Sequence, residues 1–410
     1  MALLPRKLNP AVRSPLKLLY VHESLGSLGG AEANVFITAT ELRKRGHQVG
    51  LLTRRATGRN EEAWRELFGE NIFWVDRTGY AEAAAAFSPD VTYVHKWDHL
   101  TSLADIVQSG RARVRMVHDH DMYCLRSYRY NPLTREVCHR PTSAYCVFPC
   151  LASLKRDREG PLPFKFVSYT DKKRERDLSR HFHRHLVVTR YMQEELEING
   201  FDAGRIEIFP PVPRAAAGLE PSFSDRNLLI WAGQIIRGKG LDVLLQALTQ
   251  VKQPFELIVL GDGNHKAVCE ELSRKLGLAD RVTFAGFVPQ ETMRNYYRDA
   301  SLFVLSSLWP EPIATIGLEV MRFALPVVAW DAGGIKDWLI DGHNGYLVPW
   351  KDTTAYAARV DELLADKAKA RQMGQAGLAL VNEHYDFESY LSRLEDLFSR
   401  VAVEPEPATQ

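Results

Sequence analysis

The stretch Leu302–Gly334 reads LFVLSSLWPEPIATIGLEVMRFALPVVAWDAGG. Its first residues, LFVLSS, form a short apolar run typical of a buried strand, and PVVAW near its end is a second run of this kind. Between the two runs, the segment IGLEVMRF carries apolar residues at helical spacing. A strand, a helix and a second strand in immediate succession predict a βαβ unit and therefore a parallel sheet.

The same alternation extends through the rest of the chain. Apolar strand candidates in the second half are NLLIWAG, FELIVLG and VTFAGF, and those in the first half are LKLLYV, HQVGLLT, VTYVH and VRMVH. The proline-rich segment FPPVPRAAAGLEPS, residues 209–222, separates the halves and is typical of a linker. We therefore predict one α/β domain over residues 1–215 and a second over 216–385. We expect residues 386–410, an amphipathic helix with a tail, to cross back to the first domain.

The charge balance and hydropathy exclude several classes of protein. Lys and Arg number 52 and Asp and Glu number 51, which gives a formal charge of +1. Because no global basic field exists, a dedicated nucleic-acid-binding protein is not expected. No apolar run reaches the ~20 residues that a membrane-spanning helix needs, and the N-terminus lacks the apolar core of a secretory signal. With only five cysteines, we expect a cytoplasmic protein without a disulfide scaffold.

Cysteines cluster in a long irregular insert at residues 123–166. Cys124, Cys138, Cys146 and Cys150 lie within it, and four thiolates suit a tetrahedral zinc ion or an iron–sulfur cluster. The spacing lacks the paired C-x2-C knuckles of common zinc sites. Four ordinary thiols, or a disulfide, therefore remain alternatives to a structural metal centre. Such a long irregular loop also suggests a functional segment.

Two glycine-rich turns follow strand candidates. GSLGGAE contains Gly29 and Gly30, whose backbone could approach an anion at the start of a helix, although a simple tight turn explains the glycines equally well. WAGQIIRGKG places Arg237 and Lys239 ahead of the next helix. Two cations beside a helix N-terminus suit a diphosphate, whereas a solvated basic turn is the ordinary alternative.

Acidic and histidine residues follow other strand candidates. Glu311 lies in a loop and Glu319 in the apolar helix after it, where carboxylates could accept hydrogen bonds from sugar and ribose hydroxyls. His118 and Asp119 end the strand candidate VRMVH, so they should lie at the carboxyl edge of the sheet. The backbone amides of the first helical turn are also candidate donors; they belong to Ala314, Thr315 and Ile316. A metal hydrolase is a competing interpretation of the His-Asp pair, but no further His-Asp cluster supports it.

The stretch from Lys155 to Arg184 is locally basic. It holds ten Lys and Arg and five Asp and Glu residues, a net charge of 10 − 5 = +5. Such a segment could attract an anionic membrane surface or an anionic, lipid-linked acceptor. Because DKKRERDLSR mixes both signs, a solvated helix face is the simpler interpretation.

Taken in order, these motifs resemble glycosyltransferase family 4. They are GGAE, the glycine-to-KG motif at 233–240, GDG at 261–263, the E-x7-E pair, PVVAWDAGG and DGHNGYLV. The resemblance implies the GT-B fold, an α/β architecture of two Rossmann-like domains facing a central cleft. It also implies a retaining transfer from a nucleoside-diphosphate sugar to a glycan or lipid-linked acceptor, with no cofactor required for the chemistry.

The resemblance assigns roles by position. Lys239 would hold the diphosphate, Glu319 the ribose, Glu311 the donor sugar, and His118 the transferred sugar or the departing oxygen. The substrate-binding set implied in this way is Gly29, Gly30, Asp119, Gln234, Arg237, Lys239, Ala314, Thr315, Ile316 and Glu319. The chain departs from the family pattern twice.

The first departure is Gln234, which stands where the family usually has Arg, so Arg237 is the candidate for the second phosphate-binding cation. The second is Ala314, which stands where the family often has Gly; this change is minor if the local φ is negative.

From the sequence we therefore expect a glycosyltransferase of cell-surface polysaccharide biosynthesis, cytoplasmic and peripheral at the inner face of the membrane. Two alternatives remain open at this point. One is a nucleotide-sugar epimerase of the same fold, which would form an epimer without acceptor. The other is a non-catalytic module that binds nucleotide sugars.

Overall fold

The computed structural model describes residues 14–27, 29–131, 133–156, 164–212, 221 and 223–407. The described residues divide into two compact units. The N-terminal unit comprises those of 7–128, 139–213 and 387–410, and the C-terminal unit comprises those of 129–138 and 214–386. Most of the predicted linker and residues 157–163 of the insert lie outside the described residues.

The N-terminal unit contains a parallel sheet in the spatial order β13-β12-β7-β6-β1-β3-β5. In its central strands β1, β6 and β7 every residue is buried except the first residue of β1 and of β7, as expected when helices cover both faces of a parallel sheet. The strands of residues 14–212 are β1 (Lys17–Val21), β2 (Ser24–Leu25), β3 (Gln48–Thr53), β4 (Arg55–Ala56), β5 (Ile72–Trp74), β6 (Val91–Val94), β7 (Ala112–Val117), β8 (Tyr130–Asn131), β9 (Glu136–Val137), β10 (Leu154–Arg156), β11 (Phe164–Phe166), β12 (Arg184–Val187) and β13 (Ile206–Ile208).

The C-terminal unit contains a second parallel sheet in the order β16-β15-β14-β17-β18-β19. The stretch Leu302–Gly334 supplies β17, the following helix and β18, so the predicted βαβ unit is present. The strands are β14 (Leu228–Ala232), β15 (Glu256–Leu260), β16 (Val282–Gly286), β17 (Leu302–Leu305), β18 (Val327–Trp330) and β19 (Gly345–Val348).

Helices cover the sheets, and several of them begin directly after a residue that can cap the first helical turn. Ser168, Thr189 and Asp352, for example, precede helices and accept hydrogen bonds from backbone amides of the first turn. The helices are α1 (Gly30–Lys44), α2 (Glu61–Phe68), α3 (Gly79–Phe87), α4 (Leu100–Gln108), α5 (Tyr169–Ser179), α6 (Arg190–Ile198), α7 (Leu241–Leu248), α8 (Lys266–Lys275), α9 (Gln290–Asp299), α10 (Thr315–Met321), α11 (Thr353–Ala365), α12 (Lys367–His384) and α13 (Phe387–Val401). None of the helices in the described ranges is long and apolar enough to cross a membrane.

Both sheets reverse their strand order at one point. In the N-terminal unit the chain passes to opposite sides of β1, between β3 and β6, and in the C-terminal unit it passes to opposite sides of β14, between β15 and β17. Open α/β sheets bind ligands outside the carboxyl ends of their strands at such a switch point. The residues that follow these strands are therefore the first candidates for a ligand-binding site.

Candidate functional site

A cluster of histidines lies at the carboxyl ends of β1, β6 and β7. His22 follows β1, His95 follows β6 and His118 follows β7. The Nδ1 of His95 lies 2.8 Å from the Nε2 of His118, and the two rings stack with centroids 5.1 Å apart. This contact occupies one nitrogen of His118, so Nδ1 is the ring nitrogen with which it can meet a ligand.

Burial keeps these imidazoles uncharged. Burial lowers the pKa of His118 to about 3, with further contributions from His22 and Lys96. The pKa of His95 is lowered for the same first reason, with His118 and His22 adding to the effect. At neutral pH the pair is therefore neutral, and one ring donates the shared hydrogen bond while the other accepts it. His95 was missed in the sequence analysis, although VTYVH and VRMVH both end in His and gave a usable signal.

Lys96 and two carboxylates complete this edge of the sheet. Lys96 Nζ lies 3.0 Å from Asp119 Oδ2 and 2.9 Å from Asp121 Oδ2. Burial alone would lower the pKa of Lys96, but the two carboxylates hold it above its ordinary value. For Asp119, burial and the neighbouring Asp121 raise the pKa, and Lys96 opposes them. The predicted Asp119 therefore follows His118 directly and shares the ammonium group of Lys96 with Asp121.

The GGAE motif joins this cluster through its glutamate. Glu32 Oε2 accepts a hydrogen bond from the amide of Gly29 at 2.9 Å, and Glu32 Oε1 lies 3.8 Å from His22 Nε2. A side chain at Gly30 would meet nothing within 4 Å, and one at Gly29 would only touch Glu32. Protein packing does not require these two glycines, so the space beside them is free for a ligand. Glu32 is a structural capping residue that the sequence analysis did not single out.

A polar cavity of about 740 Å³ opens beside the histidines. Its walls carry equal numbers of basic and acidic side chains, and most of them pair with one another. Paired charges of this kind present many hydrogen-bonding atoms without a strong net field. The lining includes His95, His118, Asp119, Lys165 and Lys172.

In the C-terminal unit, Glu311 is the centre of a buried cluster. Its Oε1 accepts hydrogen bonds from Lys239 Nζ at 2.6 Å, from Trp309 Nε1 at 2.8 Å and from the hydroxyl of Ser307. The ammonium group of Lys239 also lies 5.0 Å from the centroid of the Trp309 ring. Burial alone would raise the pKa of Glu311, but these donors hold it below its ordinary value, so the carboxylate is charged.

The backbone around this cluster is closely packed. Gly240 has φ +66°, and a side chain there would lie 2.1 Å from the carbonyl oxygen of Ser306. Gly261, from the GDG motif, has φ +144°, and a side chain there would lie 1.9 Å from the carbonyl oxygen of Gly233. Only glycine fits these two positions, which explains why the loops after β14, β15 and β17 meet so closely.

The other predicted residues of this unit are more open. Gln234 and Arg237 are exposed, and Lys239 is half-buried. Glu319 is half-buried on α10, where burial raises its pKa against the opposing effect of Arg294. Thr315 is exposed and Ile316 is half-buried at the start of the same helix.

Ala314 corrects one assumption of the sequence analysis. The change from Gly was expected to be minor if the local φ was negative, but φ at Ala314 is +56°. Left-handed backbone costs an alanine roughly 1–2 kcal/mol relative to the right-handed region. The chain therefore accepts local strain at the N-terminus of α10.

The metal site predicted for the insert cysteines stays a prediction. Each of the four is half-buried, and none of them forms a disulfide in the described part of the chain. Within the described ranges, no group of three or more His, Cys, Asp or Glu residues is arranged to hold a metal ion.

The buried histidines predict how stability depends on pH. Burial lowers the pKa of His118 to about 3 and that of His183 and His185 to about 4, whereas unfolded histidines titrate near ~6.5. Between these values the unfolded chain binds more protons, so the free energy of unfolding should fall as the pH drops below ~6.5 and continue to fall towards ~3–4.

Urea denaturation at several pH values between 8 and 4 would measure this effect. His343→Gln, at an exposed position, should leave the slope unchanged. A free energy of unfolding that stays constant from pH 7 to pH 5 would contradict the neutral, buried histidines.

Family models match most of the chain. Residues 28–212 match Glycosyltransferase Family 4, and residues 219–379 match Glycosyl transferases group 1. The chain is 28% identical over 211 residues to a GDP-mannose-dependent alpha-(1-6)-phosphatidylinositol monomannoside mannosyltransferase from Mycolicibacterium smegmatis, covering 49% of this chain and 54% of the relative. It is also 28% identical over 182 residues to the alpha-D-kanosaminyltransferase of Streptomyces kanamyceticus, covering 44% and 47%. The chain thus spans about half the length of the curated relatives it matches.

Solved structures share the fold over almost the whole chain. Anabaena HepE in complex with UDP and glucose superposes with a TM-score of 0.68 at 18% identity, covering 94% of this chain and 100% of HepE. Sucrose-phosphate synthase from Thermosynechococcus elongatus gives a TM-score of 0.68 at 18% identity, covering 94% and 99%. At these identities the likeness establishes the fold of two Rossmann-like domains.

Proposed function

The chain belongs to glycosyltransferase family 4, and on that basis we propose that it transfers a sugar from a nucleoside-diphosphate sugar to an acceptor with retention of configuration. The observation that carries the proposal is the cluster of Lys239, Glu311, Ser307 and Trp309 at the switch point of the C-terminal sheet. In this proposal the cation of the cluster binds the diphosphate and its ionised carboxylate contacts the sugar, and the Lys239–Glu311 pair supports both roles.

Lys239 is the candidate diphosphate ligand. Its ammonium group pairs with Glu311 at 2.6 Å, and its side chain is about one-quarter exposed. A diphosphate that approaches the exposed side can share the ammonium group, because Lys carries three donors. Arg237 is exposed two residues earlier and is the candidate for the second cation in place of the family arginine.

In the transfer, the bond between the anomeric carbon and the phosphate oxygen breaks, and the bond to the acceptor oxygen forms on the same face of the sugar. The proton of the acceptor hydroxyl passes to the departing phosphate oxygen. Charge therefore develops on the diphosphate, and Lys239 stabilises it. Glu311 remains ionised, so it can accept hydrogen bonds from sugar hydroxyls. His118 is neutral, and its Nδ1 is available for a hydrogen bond to a sugar hydroxyl.

The acceptor is a glycan or a lipid-linked sugar bound in the cavity of the N-terminal unit. The cavity volume of about 740 Å³ is that of a small-molecule site. Its paired charges, including Lys96 with Asp119 and Lys172 with Glu175, offer donors and acceptors to hydroxyl groups. Support for a lipid-linked acceptor comes from the mannosyltransferase relative, whose name specifies a phosphatidylinositol monomannoside.

The proposal also includes peripheral contact of the protein with an anionic membrane. The insert exposes apolar side chains: Phe148 is 77% exposed, Phe166 73% and Leu154 55%. Leu154 lies opposite Phe166 in the β10–β11 pair, so the two share one face. Lys173 and Arg174 on α5 are also exposed, and apolar side chains next to basic ones suit the surface of an anionic bilayer.

Vesicle flotation tests the membrane contact. Vesicles of phosphatidylcholine with anionic phosphatidylglycerol should carry the protein, and vesicles of phosphatidylcholine alone should carry less. Phe148→Ser combined with Phe166→Ser should reduce flotation without changing the melting temperature, because neither side chain is buried. Equal flotation of the wild-type protein and the double variant would contradict the proposed membrane contact.

A transfer assay tests the function itself. The protein is incubated with a panel of nucleotide sugars, with and without a sugar-lipid extract, and free nucleoside diphosphate is measured. We expect nucleotide release that depends on the acceptor, and an α-linked product from an α-linked donor. Epimerisation of the sugar without acceptor would indicate an epimerase, and binding without turnover would indicate a non-catalytic module.

A further inference from the structure

The hairpin at residues 129–138 belongs to the C-terminal unit, although the sequence places it within the first half of the chain. Its strands β8 and β9 pair in an antiparallel arrangement. Tyr130, in β8, is 5% exposed and packs in the same apolar cluster as Trp231, Leu241 and Leu245. The hairpin is therefore part of the core beside α7, the helix that follows Lys239.

Arg135, in the turn of this hairpin, forms hydrogen bonds to the segment after β14 that contains Arg237 and Asp242. Its guanidinium donates to both carboxylate oxygens of Asp242, at 2.8 and 3.0 Å, and to the carbonyl oxygen of Arg237 at 3.1 Å. The Nε donates to the hydroxyl of Tyr130 at 3.2 Å. A planar guanidinium that uses several donors at once holds its partners in fixed directions.

The contacts of Arg135 are themselves constrained. Its backbone has φ +58°, and its carbonyl oxygen accepts a hydrogen bond from Lys351 Nζ at 2.5 Å. The side chains of Arg135 and Asp242 are 19% and 13% exposed, so solvent screens this pair less than a surface pair. The arrangement is built into the unit and is not a chance contact of a loose loop.

The charge of Asp242 explains why the contacts of Arg135 would affect the binding of a diphosphate. It lies in the first turn of α7, three residues after Lys239. A carboxylate at this position would repel a diphosphate bound by Lys239 unless a cation neutralises it. Arg135 supplies that cation and, through the Arg237 carbonyl, also holds the turn Arg237–Lys239.

We propose that Arg135 is a positioning residue for donor binding. It holds the Arg237–Lys239 turn and neutralises Asp242, and it does so without touching the donor. This inference rests on the proposed function, because the turn is the candidate diphosphate site. It makes the hairpin of the insert a part of the donor-binding unit.

A cycle of variants tests the proposal by isothermal titration with UDP and GDP, using the full chain. Arg135→Ala should weaken binding of the preferred nucleotide by at least about fivefold. Asp242→Asn in the Arg135→Ala background should restore part of the affinity, because the repelling charge is then absent. A purely structural role would not give this restoration. Arg135→Lys should be intermediate, since it keeps the charge but cannot bridge both oxygens.

The control is Arg371→Ala, which breaks a pair with Asp225 in the same unit and should leave nucleotide affinity unchanged. Melting temperatures of all variants show whether each one folds. Wild-type affinity in a folded Arg135→Ala protein, or no restoration by Asp242→Asn, would overturn this inference alone. Absence of nucleotide binding by the wild-type protein would overturn it together with the proposed function.

Discussion

Lys239→Ala should weaken the binding of the nucleoside diphosphate by about 10- to 100-fold, equivalent to about 1.5–3 kcal/mol for a hydrogen bond to a charged group. The loss arises because the diphosphate no longer has its ammonium partner. The variant should also be less stable without ligand, since Glu311 is 5% exposed and loses its cation. Titration calorimetry measures the affinity, and urea denaturation measures the stability.

Lys275→Ala is the matched control, because Lys275 is 69% exposed and pairs with Glu271 on the surface of α8. It should change neither measurement. Arg237→Ala then shows whether that exposed side chain is the second phosphate ligand. An unchanged affinity in a folded Lys239→Ala protein would remove Lys239 from the diphosphate site.

Glu311→Gln should lower the rate of sugar transfer by about 100-fold or more, the size of effect seen when one electrostatic partner of a transition state is lost. The amide keeps the shape of the side chain but has no charge. It therefore pairs poorly with Lys239 and accepts more weakly from a sugar. Initial rates at saturating donor and acceptor measure the effect.

Circular dichroism and melting temperature separate this loss from unfolding. Glu319→Gln is an informative companion, because Glu319 is assigned to the ribose and should change the Michaelis constant for the donor more than the maximal rate. Full activity of Glu311→Gln would exclude a role for its charge in the transfer.

The sequence was sufficient to predict the two parallel sheets, because each buried strand is a short apolar run followed by a turn and a helix. Lys239 and Glu311 could each be identified as candidates from their motifs. Their ion pair could not, because they are 72 residues apart and meet only when the loops after β14 and β17 lie side by side in the sheet.

Other features depended on contacts that no local pattern records. VTYVH and VRMVH both end in His, but the contact of 2.8 Å between His95 and His118 is evident only once their strands lie side by side in the sheet. Arg135 lies in an irregular insert, where nothing in the spacing indicates that its partner is Asp242. The four cysteines lie close together along the chain, but within the described ranges no group of three or more His, Cys, Asp or Glu residues is arranged to hold a metal ion. The metal site therefore stays a prediction.

The most direct test of the proposed donor site is isothermal titration of the wild-type protein with a panel of nucleoside diphosphates, repeated with Lys239→Ala. We expect one nucleoside diphosphate to bind the wild-type protein with a stoichiometry near one and to bind Lys239→Ala at least about tenfold more weakly. No binding by the wild-type protein, or equal binding by both proteins, would contradict a donor site at Lys239 and Glu311.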